Sequence, residues 1–242
     1  MRSYSRPVLI WFTRGQGRIT IAGRSGGYSA NSAVFLPAGT MHGFSVSHAV
    51  LGSVIHIPKE SADLWPNEPR HLRVREVQLQ RELTGMIDAI EQETHSNEAD
   101  ADLAQRYHAG LLAIWFGRKS DAIEAASSLP STENAAHRLT QAYTALVERD
   151  FRYTVGVQHF AELLGVTPTH LSRACREASG RAALDFLTDR RHFEACRLLK
   201  DTGIPIAIVA SRSGFASPAY FTRAFSARAG KSPSIFRRER SI

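Results

Sequence analysis

The feature that most constrains this 242-residue chain is a near-repeat in its C-terminal part. Phe160-Ala161-Glu162-Leu163-Leu164-Gly165-Val166 runs directly into Thr167-Pro168-Thr169-His170-Leu171-Ser172-Arg173-Ala174-Cys175. An alanine lets two helices cross closely, and a glycine four residues on permits the left-handed backbone of a tight turn between them. Thr167 is suited to N-capping the next helix, and Pro168 fits its first turn. Leu171 then packs inward while Thr169, Ser172 and Arg173 face out. The same grammar returns in Val209-Ala210-Ser211-Arg212-Ser213-Gly214-Phe215 and Ser217-Pro218-Ala219-Tyr220-Phe221-Thr222-Arg223-Ala224-Phe225. Ala161 to Gly165 and Ala210 to Gly214 are both four apart, Arg173 to Gly180 and Arg223 to Gly230 both seven, and the second turn is one residue longer. Each block predicts a helix-turn-helix. One such pattern is weak, because many helical hairpins share it; two in one stretch constrain the fold far more.

Between the blocks, Ala182–Lys200 carries Phe186, Leu187, Ala195, Leu198 and Leu199 at helical spacing, with Gly203 and Pro205 ending the run. A helix of this length would hold the two units in fixed relation, and reading helices about 34 Å apart enter successive major-groove faces of B-DNA. Charge agrees. Residues 1–136 carry 13 basic and 14 acidic side chains, whereas residues 137–242 carry 17 and 9, so the whole net charge of +7 lies in the second part. A basic unit beside a near-neutral one points to a polyanionic partner, or to an arginine-rich solvated surface.

Residues of about 139–238 resemble the DNA-binding domain of AraC/XylS-type transcription regulators. The resemblance is most specific in Ile206-x-x-Val209-Ala210-x-x-x-Gly214-Phe215, Tyr220-Phe221-x-Arg223-x-Phe225 and Gly230-x-Ser232-Pro233-x-x-x-Arg237. Phe186-Leu187, Arg191, Ala195 and Leu198-Leu199 fit the connecting helix, while His192 stands where an aliphatic residue is expected. The resemblance implies two tandem helix-turn-helix units bound to double-stranded DNA. Thr169, Ser172 and Arg173 would form the first reading surface, and Ala219, Thr222 and Arg223 the second. Arginine pairs with guanine O6/N7, Ser and Thr with several base edges, and alanine with a thymine methyl. Phosphate contact or an intradomain ion pair is the alternative for Arg173 and Arg223. Arg237, Arg238 and Arg240 read as general phosphate attraction or a solvated tail.

The N-terminal half reads as short strands, Val8–Phe12, Arg18–Ile21, Ala33–Leu36 and Val50–Ile57, punctuated by Gly and Asn. Two amphipathic helices follow, through Val77, Leu79, Leu83, Met86, Ile87 and Ile90, then Leu103, Tyr107, Leu111, Leu112, Ile114 and Trp115. They cover the strands or form a dimer seam over residues 76–118. The strand segments, with Pro37-x-Gly39-x-x-His42, resemble a small cupin barrel, a common N-terminal partner of such DNA-binding domains. No His-x-His pair is present, and His42, His48 and His56 are scattered, so neither a metal nor a cofactor is expected. Gly15-x-Gly17 is a turn and not a dinucleotide fingerprint. Trp11, Phe12, Phe35 and Phe44 are the candidate lining of an effector cavity, with His42 as its polar contact, for an aromatic or other small organic acid.

The expected fold is α+β: a small cupin-like β-barrel with two helices over residues 1–126, a linker at 127–137, and an all-α double helix-turn-helix domain at 138–240. The expected function is an effector-controlled regulator, an activator as is commoner in the family, acting as a homodimer with RNA polymerase as a further partner. The alternatives are an effector-independent regulator whose barrel only dimerises, and a metal-dependent cupin enzyme with a DNA-binding tail. Cys175 and Cys196 read as buried free thiols, and no apolar run is long enough for a membrane span, which places the chain in the cytoplasm.

Overall fold

The computed structural model describes residues 1–46, 49–126 and 134–239. Its first strand, β1 (Val8–Arg14), begins with five buried residues in a row. Side chains alternate across a strand, so such a run needs cover on both faces. It has it. Val8, Ile10 and Phe12 join one core with Ile19, Tyr28, Val34 and Leu36, while Leu9 and Trp11 join another with Phe35, Trp65, Leu112 and Phe116.

The remaining strands are β2 (Gly17–Ile21), β3 (Arg24–Tyr28), β4 (Ser32–Leu36), β5 (His42–Val46), β6 (Leu51–His56) and β7 (Arg70–Arg73). They form two antiparallel sheets, ordered β6-β1-β4-β7 and β3-β2-β5. This corrects the expectation of a closed barrel. Closure requires every strand to have two hydrogen-bonded neighbours, whereas among the described residues β6, β7, β3 and β5 each have one. The two sheets instead share a core, in which Val8, Ile10, Phe12, Val34 and Leu36 of one meet Ile19 and Tyr28 of the other.

Helices α1 (Val77–His95) and α2 (Ala101–Ala126) lie on the outer face of the four-stranded sheet. Leu83, Ile87, Leu112, Ala113, Trp115 and Phe116 are buried there, and the Trp115 indole donates to Glu82 Oε2 at 3.0 Å. The pair therefore covers the strands. The opposite stripe of α2, Leu103, Tyr107, Leu111 and Ile114, remains exposed. Residues 127–133 of the expected linker, with His48 and Arg240, lie outside the described residues. The next helix begins at Ala135, earlier than expected, because the Asn134 side chain accepts from the His137 N–H and caps it.

That helix, α3 (Ala135–Asp150), is followed by α4 (Val157–Leu163), α5 (Pro168–Ser179), α6 (Ala183–Asp201), α7 (Ile206–Arg212), α8 (Pro218–Ala229) and α9 (Pro233–Arg238). α6 serves two cores. Its first half gives Ala183, Phe186 and Leu187 to a cluster with Tyr143, Phe160, Ala161 and Leu171. Its second half gives Ala195, Leu198 and Leu199 to a cluster with Val209, Ala210, Phe221 and Phe225. The strands touch the first cluster: Met41 is buried in it, and the Ser25 hydroxyl donates to the Ser179 carbonyl at 3.2 Å.

Candidate DNA-reading surface

The two reading helices, α5 and α8, are built alike. Each has 12 residues. Thr167 Oγ1 accepts from His170 N–H and Ser217 Oγ from Tyr220 N–H, both at 3.2 Å, with Pro168 and Pro218 at the first turns. Gly180 and Gly230 end them at φ 77° and 70°, a left-handed conformation that glycine adopts without steric cost. In the turns, Val166 N–H donates to Ala161 and Phe215 N–H to Ala210, each at 3.0 Å. Ala161 and Ala210 are fully enclosed at the crossings. Deleting either cap would cost about 1 kcal/mol, so the register of each reading helix is set locally.

Thr169 and Arg173 are exposed on α5, with Ser172 half-buried beside them. Ala219, Thr222 and Arg223 are all exposed on α8. Neither Arg173 nor Arg223 joins an ion pair among the described residues. The Thr222 hydroxyl donates to the Pro218 carbonyl at 2.9 Å, leaving lone pairs and a methyl to face outward.

The relation between the units is fixed by Arg191 of α6. Its guanidinium donates to the carbonyls of Phe151, Tyr153 and Val155 at 2.9, 2.7 and 2.8 Å, gripping the segment that leads from α3 into α4. Gly214, in the second turn, presses on the same place: a Cβ there would stand 2.2 Å from the Phe151 carbonyl oxygen and 2.7 Å from Arg191 Nε. The turn of the second unit thus abuts the entrance of the first.

A second junction ties the trailing ends. Buried Asp189 of α6 accepts from Arg181, just past α5, at 2.6 Å, from Arg228 in the last turn of α8, and from the Met1 amino group at 2.8 Å. Further along α6, Glu194 meets Arg152, Arg190 and Arg197. Burial works against its charge, but the Arg197 hydrogen bond and the surrounding guanidinium groups overcome it and hold the carboxyl at about 2. The unexpected His192 is half-buried, its ring 5.0 Å from that of Phe225, and burial lowers its pKa, so it serves as a neutral wall of the second core.

The five expected effector contacts do not share a cavity. Trp11 and Phe35 face the helices, where Phe35 stacks on Trp65 at 5.0 Å. Phe12 points the other way and meets Phe44 edge-on at 6.4 Å. His42 is buried beside Tyr4, and burial lowers its pKa to about 4 despite the bond to the Thr40 carbonyl, so it is neutral at pH 7. His56 also meets the Tyr4 ring, edge-on at 5.3 Å. Of the five, only Phe44 lines the 620 Å³ cavity between the three-stranded sheet and the helical unit, beside Arg2, Arg18, Arg181, Lys200 and Arg228. Sequence reasoning missed these cations, since they come from five separate segments with no common spacing.

Comparison with known proteins agrees with this geometry. Residues 160–239 match the family model described as a helix-turn-helix domain. The chain is 40% identical over 78 residues to the HTH-type transcriptional regulator GlxA of Rhizobium meliloti (strain 1021), covering 32% of this chain and 24% of that one. It is 27% identical over 150 residues to the arabinose operon regulatory protein of Escherichia coli (strain K12), covering 62% and 50%. The chain therefore spans half or less of the length of these curated relatives. Residues 160–239 are thus a helix-turn-helix domain, and the relatives that match this part of the chain are transcription regulators. Among solved structures, unsaturated fatty acid bound ToxT from Vibrio cholerae strain SCE256 aligns with a TM-score of 0.50 at 14% identity, over 97% of this chain and 87% of that one, a likeness of fold.

Proposed function

We propose that the protein is a sequence-specific DNA-binding transcription regulator, an activator controlled by a small organic acid, that sets α5 and α8 into successive major-groove faces. The observation that carries this reading is the pair of identically capped helices, braced by α6, with Arg173 and Arg223 exposed and unpaired among the described residues. In this reading Arg173 and Arg223 pair with guanine edges, Thr169, Ser172 and Thr222 bond to bases or phosphates, and Ala219 meets a thymine methyl. The N-terminal sheets, with α1 and α2, are the effector-binding and dimerising part. The exposed stripe Leu103, Tyr107, Leu111 and Ile114 supports a homodimer through residues 76–118, and RNA polymerase completes the set of partners. Genome-wide mapping of bound DNA tests the proposal: discrete sites with a shared two-part sequence are expected for the wild type. Uniform occupancy without a shared sequence would overturn it. Thermal stabilisation across a panel of small acids tests effector control.

A further inference from the structure

The 620 Å³ cavity has walls from both parts of the molecule. Arg2 and Arg18 enter from the strand side, and Arg181, Lys200 and Arg228 from the helical side. The one carboxylate among its lining residues is Asp189. Arg181 and Arg228 are both bonded to it. Arg2, Arg18 and Lys200 have no carboxylate partner among the described residues; Arg2 lies over the Phe44 ring at 4.8 Å and Lys200 over Phe236 at 5.4 Å.

Like charges that line one cavity repel one another, and an anion between them relieves that repulsion. Five basic side chains against one carboxylate leave more positive charge than a monocarboxylate neutralises. Arginine forks match phosphate oxygens two at a time. Phe44 and Phe236 offer apolar surface to the rest of a ligand.

We propose that this cavity binds a small molecule bearing a compact group with two or more negative charges, a phosphate ester or diphosphate, that bridges the three-stranded sheet and the trailing ends of both reading helices. The inference deepens the regulator reading and rests on it only for the consequence of binding. A ligand held by both walls favours whichever arrangement of sheet and helices brings them to the right separation, and DNA that selects the same arrangement strengthens ligand binding by the same factor.

The test is calorimetric titration of the full chain with inorganic pyrophosphate, against benzoate at matched ionic strength. One pyrophosphate is expected per chain, about tenfold tighter than benzoate. Arg18→Ala and Lys200→Ala, both at exposed positions, each weaken it about fivefold, whereas Arg173→Ala and Arg223→Ala leave it unchanged. Absence of saturable binding, equal binding of benzoate, or sensitivity to Arg173 and Arg223 in place of Arg18 and Lys200 would each overturn the site. Sequence-selective DNA binding, measured on the same preparations, fails or survives independently and so reports on the regulator reading alone.

Discussion

The two helix-turn-helix units share their caps and differ in what they lean on. The first buries Met41 from the strands in its own core, and the end of its reading helix accepts a hydrogen bond from Ser25. The core of the second is made only of residues from α6 onward, and its ion-pair link toward the strand side is Arg228 through Asp189. Their turns differ as well. Gly165, at φ 65°, has open space where a Cβ would go; Gly214, at φ 81°, is pressed against Phe151 and Arg191. Local sequence makes two equal reading helices, and surroundings make one of them part of the strand unit's footing and the other part of the interunit joint.

The glycines give the strongest way to break that contrast. Gly214→Ala combines left-handed strain of about 1–2 kcal/mol with a backbone clash, for a total loss of about 3 kcal/mol or more. Gly165→Ala carries the strain alone, about 1–2 kcal/mol. Thermal unfolding measures both, at about 2–4 °C per kcal/mol for a chain of this size. Equal losses would show that the second turn does not bear on Phe151.

Arg191→Ala removes three charge-assisted bonds to backbone carbonyls and is expected to cost about 2–3 kcal/mol. It should also weaken binding to DNA with two half-sites more than to DNA with one. A uniform loss on both would make Arg191 a stabilising residue without a bracing role.

Arg223→Ala and Arg173→Ala should each weaken binding to the selected sequence by about 1–3 kcal/mol and leave random DNA nearly unaffected. Equal weakening on both DNAs would reassign either arginine to the phosphate backbone.

α6 also carries an acid-sensitive group. Glu194 titrates near 2 in the fold and near 4.5 otherwise, so an unfolded chain takes up a proton that the folded chain refuses. Stability from this group is complete above about pH 4.5 and falls as pH drops toward 2. Glu194→Gln should flatten that part of the melting-temperature profile; an unchanged slope would show that other carboxylates dominate it.

The helical part was legible because its signals are local. Thr167-Pro168 with Gly180, and Ser217-Pro218 with Gly230, mark both ends of each reading helix by backbone requirements that few other residues meet. The strands were less so. β3 reads Arg-Ser-Gly-Gly-Tyr, poor in strand formers, and forms because Ala22 and Gly23, both at positive φ, turn it back onto β2. β7 reads Arg-His-Leu-Arg, poor in strand formers, and is held by pairing with β4. The effector residues went astray for a reason visible in the sequence: Trp11 and Phe12 are adjacent on one strand and cannot face one cavity. The basic cavity could not be read, because its walls are set by how the sheet docks on α3 and α5, which brings it opposite residues of α6 and α8.

The most direct test of the account is affinity as a function of half-site spacing. DNA selected by the full chain should carry two half-sites about 10 bp apart, centre to centre, on one side of the duplex. Inserting about 5 bp between them turns the second half-site to the far side, and a rigidly braced pair of reading helices then loses one of its two contacts, with an affinity loss of about a hundredfold. Affinity unchanged by the insertion would contradict the brace through α6 and Arg191.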